Sequence, residues 1–162
     1  MKKQALPDSI PQEYKKAVAN AVNIMNYADN TERKLREKLA RKGNNSDAVN
    51  YAVEFVKKQG ILNDKRYLNH ISERIANGKL YGKRRVIFEL YTKGFRREDI
   101  EELDFDEMEV DFAENCAERI RKTKKQYSTN EKLKAALLRY GFSGDDIREA
   151  FYILKEEQKN ND

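Results

Sequence analysis

The stretch that decides the fold lies between residues 82 and 95 and reads Gly-Lys-Arg-Arg-Val-Ile-Phe-Glu-Leu-Tyr-Thr-Lys-Gly-Phe. Leu90 and Val86 stand four and eight places before Gly94, and Ile100 stands six places after it. Positions four apart share one face of an α-helix, so the stretch predicts a helix with an apolar face. A glycine just past the last turn takes the left-handed conformation that ends a helix.

The same pattern occurs twice more, around Gly43 and around Gly141. Both glycines follow apolar residues four and eight places earlier and precede an apolar residue six places later. The copies recur at intervals of roughly fifty residues, which is typical of a helical repeat. No β-strand pattern competes, so the sequence predicts an all-α fold of three tandem three-helix repeat units.

Each predicted unit has an opening, a middle and a closing helix. The predicted organisation is a flexible N-terminal arm at 1–12, three-helix units at 13–62, 63–104 and 105–157, and a frayed tail at 158–162. The arm contains both prolines, and the tail is polar.

The predicted helices follow from the apolar spacing and from residues suited to cap them. The opening helices are expected at 13–28, 65–77 and 107–123, the middle ones at 32–42, 83–93 and 129–140, and the closing ones at 47–58, 97–103 and 144–157. The candidate N-terminal caps are Asn30 or Thr31, Asn63 or Asp64, Ser128 in a capping box with Glu131, and Ser143.

Composition argues against one deep hydrophobic core. Charged residues make up 38% of the 162 residues, and the mean hydropathy is -0.96. Small bundles that shield one another need less apolar surface than a single large core, so we expect an elongated, modular protein.

The charges are unevenly distributed along the chain. The net charge of +5 allows a nucleic acid or an acidic protein as partner. Seven basic residues and one acidic residue lie between 79 and 97, ten acidic and no basic residues lie between 98 and 114, and five basic residues lie between 119 and 125. This segregation predicts surface patches of opposite sign.

The beginning of the second unit's middle helix is the strongest candidate for a binding site. Three cations at a helix N-terminus oppose the helix dipole, at about a few tenths of a kcal/mol each, so a role facing a partner is one explanation. Alternatively, Lys83 and Arg84 simply point to water. The predicted partner-binding residues are Lys79, Tyr81, Lys83, Arg84, Arg85 and Lys93, with a secondary basic patch at Arg121, Lys122, Lys124 and Lys125.

Several kinds of chemistry find no support in the sequence. His70 and Cys116 are the only histidine and cysteine, so one chain can form neither a zinc site, nor a histidine-based triad, nor a disulfide. We expect both side chains to be packed in the fold, and we find no phosphate-binding loop. The sequence therefore predicts a binding protein without cofactor or metal rather than an enzyme.

The sequence contains no apolar run of roughly 20 residues that could span a bilayer. It also shows no signal-peptide core after Lys2 and Lys3. We therefore expect a cytoplasmic protein, and the charged surface favours a monomer.

Between about Val22 and Leu154 the chain resembles the RecX family of bacterial regulators of the RecA recombinase. The residues that carry the resemblance are Leu35 to Leu39 with Lys42-Gly43; Gly60-Ile61-Leu62-Asn63-Asp64 with Tyr67; Gly78 and Gly82-Lys83-Arg84-Arg85-Val86 with Leu90, Lys93 and Gly94; and Leu138-Arg139-Tyr140-Gly141-Phe142-Ser143 with Ile147. Lys83 departs from the family, which often has proline at this position.

The resemblance implies three tandem three-helix units in an elongated, curved arrangement. It also implies binding along the filament that RecA forms on single-stranded DNA, with inhibition of the ATPase, strand-exchange and co-protease activities of RecA. A second hypothesis, from the residues themselves, is a helical protein that binds nucleic acid directly without a RecA partner. The basic residues between Tyr81 and Tyr91, and those before Tyr127, could contact phosphates while the rings stack on bases.

Overall fold

The computed structural model describes Pro7 and residues 9–160. Over these residues all regular structure is helical, which confirms the predicted all-α class. The predicted N-terminal arm at 1–12 lies largely outside the described residues, as do the last two residues of the predicted tail at 158–162.

The described part of the chain forms nine α-helices and one 3-10 turn. The helices are α1 (Gln12–Tyr27), α2 (Glu32–Arg41), α3 (Ser46–Lys58), α4 (Asp64–Lys79), α5 (Lys83–Lys93), α6 (Arg97–Glu101), α7 (Phe112–Thr123), α8 (Asn130–Arg139) and α9 (Gly144–Asn160). The 3-10 turn, Lys124–Gln126, follows α7 directly.

The predicted glycine stops are confirmed in all three copies of the sequence pattern. Gly43, Gly94 and Gly141 have φ angles of 79°, 93° and 91°, in the left-handed region that glycine adopts without strain. They stand just past the ends of α2, α5 and α8. The periodic pattern therefore located the ends of these three helices.

Most of the predicted N-terminal caps are also confirmed. The Thr31 side chain accepts a hydrogen bond from the Lys34 N–H at the start of α2. Ser143 and Asp146 exchange hydrogen bonds at the start of α9, each side chain accepting from the other residue's N–H. Such caps satisfy N–H groups that have no partner within the helix.

Two helix starts differ from the prediction. Thr129, not Ser128, caps α8, because its hydroxyl accepts from the Lys132 N–H. Helix α7 begins at Phe112 rather than at 107, because the Asp111 carboxylate caps it by accepting from the Glu114 N–H.

The first of two compact units comprises the described residues up to Leu68 together with Lys93–Arg96. Helix α1 packs on α2 and α3, and α2 packs on α3. The fully buried side chains of this core include Leu35, Leu39, Val53 and Val56. The Thr31 hydroxyl donates a hydrogen bond to the Lys93 carbonyl at 3.2 Å, which joins the short second segment to α2.

The second compact unit comprises Asn69–Thr92 and the described residues from Arg97 onward. Helix α9 packs on α7 and α8 around a core that includes Ile120, Leu133, Leu137 and Phe142. None of the described helices is long and apolar enough to cross a membrane. The predicted boundaries of three repeat units stay a prediction.

Candidate partner-binding surface

The N-terminus of α5 lies against the C-terminus of α8. The Gly82 N–H donates to the Tyr140 carbonyl at 3.0 Å, and the Arg84 N–H donates to the Gly141 carbonyl at 3.3 Å. Carbonyls at the end of one helix thus satisfy N–H groups at the start of the other, which neither helix could satisfy alone.

This junction requires two glycines because the two backbones touch. A Cβ atom on Gly82 would lie 2.2 Å from the backbone carbon of Gly141 and from the Phe142 nitrogen. A Cβ atom on Gly141 would lie 2.3 Å from the Arg85 nitrogen. Any side chain at either position would force the two helix ends apart.

The junction also accounts for the cations at the start of α5. The C-terminal end of α8 carries the negative pole of its dipole, and its Gly141 lies against the backbone of Arg84 and Arg85. Positive charge that is unfavourable on α5 alone is favourable next to α8. The unusual sequence is therefore explained in part by tertiary structure.

Three of the predicted binding residues come together around one ring. Tyr81 is half-buried, and its ring centroid lies 5.5 Å from the Arg85 guanidinium and 5.6 Å from the Lys79 ammonium. Arg85 and Lys79 also lie 3.0 Å and 3.7 Å from the carboxylate of Glu89. Glu89 thus offsets part of the positive charge at this point.

The remaining predicted binding residues differ in how exposed they are and in whether their charge is already paired. Arg84 is exposed, and its side chain makes no ion pair with any described residue. Lys83 is also exposed, with its ammonium 5.2 Å from the centroid of the Phe105 ring. Lys93 belongs to the first compact unit, where its carbonyl accepts from Thr31, so the structure does not group it with the others.

Arg119 is a structural residue of this region that the sequence analysis did not single out. Its guanidinium donates to the carbonyls of Leu80 at 2.8 Å and Lys79 at 2.6 Å, and it lies 3.6 Å from the Tyr140 ring centroid. It holds the end of α4, where Leu80 has a positive φ of 50°. In sequence it is one cation within a basic run, so only tertiary structure distinguishes it.

Helix α5 also exposes two aromatic residues, of which Phe88 was not predicted and Tyr91 was named only as a ring that could stack on bases. Phe88 and Tyr91 are 57% and 41% exposed, and they follow Arg84 by four and seven residues. These spacings place the three side chains on one helix face. The signal in the sequence was that both aromatic residues fall outside the apolar helix face formed by Val86 and Leu90. We call Lys83, Arg84, Phe88 and Tyr91 the α5 surface.

The secondary basic patch is partly balanced by carboxylates. Arg121 contacts Glu157, Glu114 and Glu118, and the hydrogen bonds that it donates to Glu157 and Glu114 raise the pKa of its guanidinium. Lys122 lies 3.1 Å from Glu118. Lys124 and Lys125, in the 3-10 turn, are exposed and make no ion pair within the described residues.

A pocket of about 260 Å³ lies in the same unit. It is lined by Tyr81, Arg85, Tyr127, Arg139 and Tyr140. The rings of Tyr81 and Tyr140 stack with their centroids 6.2 Å apart and an interplanar angle of 22°. No acidic side chain lines the pocket, so it has a net positive lining.

Histidine, cysteine and carboxylate side chains are the groups that commonly bind metals or act as nucleophiles. Among the described residues, no group of three or more histidine, cysteine, aspartate or glutamate side chains could hold a metal ion. Cys116 is buried as expected, and burial raises the pKa of its thiol to about 12, which keeps it protonated and unreactive. His70 is exposed on α4 rather than packed as expected.

The fold and the surface define a class, an all-helical protein with exposed basic and aromatic side chains on α5. No family model matches the chain. It is 32% identical over 142 residues to the regulatory protein RecX of Clostridioides difficile strain 630, covering 83% of this chain and 66% of that protein. It is 30% identical over 145 residues to the regulatory protein RecX of Caldanaerobacter subterraneus subsp. tengcongensis, covering 87% of this chain and 72% of that protein.

Solved structures agree with these relatives. The crystal structure of RecX from Lactobacillus salivarius superposes with a TM-score of 0.76 at 21% identity, covering 90% of this chain and 99% of that one. A second crystal structure of a regulatory protein RecX has a TM-score of 0.68 at 18% identity, covering 92% and 81%. The chain therefore belongs to the RecX family of regulatory proteins, which confirms the resemblance found in the sequence.

Proposed function

We propose that this protein binds the RecA filament on single-stranded DNA and mainly inhibits the ATPase, strand-exchange and co-protease activities of RecA. The observation that carries the proposal is membership of the RecX family, whose named members are regulatory proteins. In this proposal the protein acts in the cytoplasm as a monomer and needs no cofactor.

Inhibition by occupancy requires contact with several RecA protomers at once. Three tandem three-helix units in an elongated, curved arrangement, as the resemblance to the RecX family implies, would supply several weak contacts along the filament. Weak contacts on one chain strengthen each other through effective concentration. A protein that bridges protomers would then oppose the rearrangements that accompany ATP turnover.

The α5 surface is the proposed centre of this contact. Arg84 has a charge that no described carboxylate offsets, and Phe88 and Tyr91 expose aromatic area on the same helix face. Arginine and tyrosine are enriched among the residues that dominate binding energy at protein interfaces. The contacts of Lys79 and Arg85 with Glu89 suit these two residues better to supporting Tyr81 than to binding a partner directly.

The test is ATP hydrolysis by the cognate RecA on single-stranded DNA, with this protein titrated in. Binding of the protein to the same DNA without RecA is measured in parallel. Inhibition at protein concentrations too low to cover the DNA would support filament binding. Unchanged hydrolysis at concentrations well above that of RecA would contradict the proposal.

A second candidate function is direct binding to nucleic acid without a RecA partner. It is favoured by the exposed Lys124 and Lys125, which precede the half-buried Tyr127 and make no ion pair with described residues. Binding through DNA phosphates weakens steeply as the salt concentration rises. Binding to the RecA filament would instead change the rate of ATP hydrolysis by RecA. Tight, salt-sensitive binding to bare DNA with no effect on RecA would favour this second function.

A further inference from the structure

The pocket beside the α5 surface has a lining suited to a small anion that carries an aromatic ring. Its five residues supply three tyrosine rings with their hydroxyls and two arginine side chains, and no carboxylate. Its volume of about 260 Å³ lies just below the roughly 300–1,000 Å³ of sites for drug-sized ligands. The pocket therefore suits a single small unit rather than a stretch of polymer.

The aromatic walls are held in place before any ligand binds. The hydrogen bond from the Gly82 N–H to the Tyr140 carbonyl joins the segments that carry Tyr81 and Tyr140. The Arg119 guanidinium lies 3.6 Å from the Tyr140 ring centroid and is anchored on the Leu80 carbonyl. Binding to walls that are already ordered loses little conformational entropy.

The two arginines of the pocket differ in how far their charge is offset. The Arg85 guanidinium lies 3.0 Å from the carboxylate of Glu89. Arg139 is exposed and makes neither an ion pair nor a side-chain hydrogen bond with any described residue. Arg139 is thus the cation of the pocket that is available to an anionic ligand.

We propose that this pocket binds a nucleoside phosphate, with the phosphate on Arg139 and the base against the tyrosine rings. Arginine presents a planar pair of donors that matches two phosphate oxygens. Aromatic side chains stack on nucleobases without requiring a particular base. The ligand is either a free nucleotide or one nucleotide unit of single-stranded DNA.

The experiment measures binding of dAMP and of a short oligodeoxyadenylate to the full chain without RecA. The test variant is Arg139→Gln, and the matched control is Lys134→Gln, which removes one exposed charge from the same helix outside the pocket. Arg139→Gln should weaken binding roughly tenfold or more, because a hydrogen bond between charged groups is lost. Lys134→Gln should change the affinity by less than about twofold, since Lys134 does not line the pocket and a single exposed charge contributes little.

Two further variants test whether the Tyr127 ring stacks on the base. Tyr127→Phe keeps the ring and should keep binding, whereas Tyr127→Leu removes it and should weaken binding roughly tenfold. For the oligonucleotide, Arg139→Gln should also reduce the slope of log affinity against log salt by about 0.7, the value for one phosphate contact to a single strand. A purely structural role for Arg139 would leave this slope unchanged.

The outcomes identify the source of the ligand or reject the site. Binding of dAMP that depends on Arg139 indicates a free nucleotide, and binding of the oligonucleotide alone indicates a unit of the strand. Equal effects of Arg139→Gln and Lys134→Gln, or no binding of either probe at millimolar concentration, would overturn the proposal. Since RecA is absent, this result is independent of the test of RecA inhibition.

Discussion

Gly82 and Gly141 are needed for different physical reasons at the same contact. Gly141 has a left-handed φ of 91°, and a Cβ atom there would also meet the backbone of Arg85. Gly82 has no such conformational requirement, but its missing side chain lets the Gly141 backbone approach. Gly141 ends α8, and Gly82 allows α5 to begin against it.

The residue-scale prediction concerns Gly82→Ala. A Cβ atom 2.2 Å from the backbone of Gly141 and Phe142 must push the two helix ends apart. We expect the free energy of unfolding to fall by about 2 kcal/mol or more, as for other overpacked sites. Urea denaturation followed by circular dichroism measures this change.

The matched control is Gly78→Ala in α4, where a Cβ atom would meet nothing within 4 Å. Alanine favours helix over glycine by up to about 1 kcal/mol, so this variant should be as stable as the parent or more stable. Equal destabilisation by the two substitutions would show that the close approach at Gly82 does not limit stability.

At the scale of helices, the N-terminus of α2 is tied to α3 and α4 through Glu32. The Asp64 carboxylate at the start of α4 accepts from the Glu32 N–H at 3.0 Å. The Glu32 carboxylate lies 3.0 Å from Lys57 on α3 and 2.8 Å from Arg36. Partial burial acts to raise the pKa of Glu32, but hydrogen bonds from Lys57 and Arg36 outweigh it and lower the pKa below 4.5.

A lowered pKa in the folded state makes this contribution to stability dependent on pH. It is fully present above pH 4.5 and is lost as the pH falls through the lower pKa of the folded state. Glu32→Gln should therefore lower the free energy of unfolding by about 1 kcal/mol at pH 7 and by less below pH 4.5. Chemical denaturation across this pH range measures the difference.

Glu149→Gln provides the comparison, because Glu149 is exposed on α9 and makes no ion pair with described residues. This variant should match the parent at pH 7 within about 0.5 kcal/mol. If the difference between the parent and Glu32→Gln stayed constant from pH 7 to below 4.5, the ion pairs of Glu32 would not be its cause.

The segment before α7 shows why helix starts are hard to locate from apolar spacing. Residues 107–111 continue an apolar pattern with Met108 and Val110, which suggested a longer helix. In the structure the Asp106 N–H bonds to the Asp104 carboxylate, and the Asp111 side chain caps α7. Short acidic side chains compete for backbone N–H groups in this way and favour turns over helix.

At the scale of the whole molecule, the proposed function depends on exposed charge that the fold leaves unpaired. Arg84→Glu reverses the charge at the centre of the α5 surface. We expect it to raise the protein concentration needed for half-inhibition of RecA ATP hydrolysis roughly tenfold, since reversal replaces an attraction with a repulsion. The measurement is the same hydrolysis titration, with thermal unfolding as the check on folding.

Lys155→Glu is the control for this reversal, since Lys155 is exposed on α9 and makes no ion pair with described residues. It carries the same change in net charge, so a nonspecific electrostatic effect would alter both variants equally. Unchanged inhibition by Arg84→Glu would remove the α5 surface from the proposed binding site.

The sequence by itself determined the helical class, the three glycine stops, most of the capping residues and the family. These features follow from contacts within a few residues, where spacing and side-chain type decide the structure. The resemblance to RecX could be read for the same reason, because its motifs include several of these stops and caps.

Only tertiary structure decided which charges and rings come together. Arg119 contacts Lys79 and Leu80, which are about forty residues earlier, and α5 begins against the end of α8. The same packing brings Glu157 of α9 to Arg121 and leaves Arg84 and Arg139 without any described ion-pair partner. Sequence spacing does not encode such distances, because they result from how the helices pack.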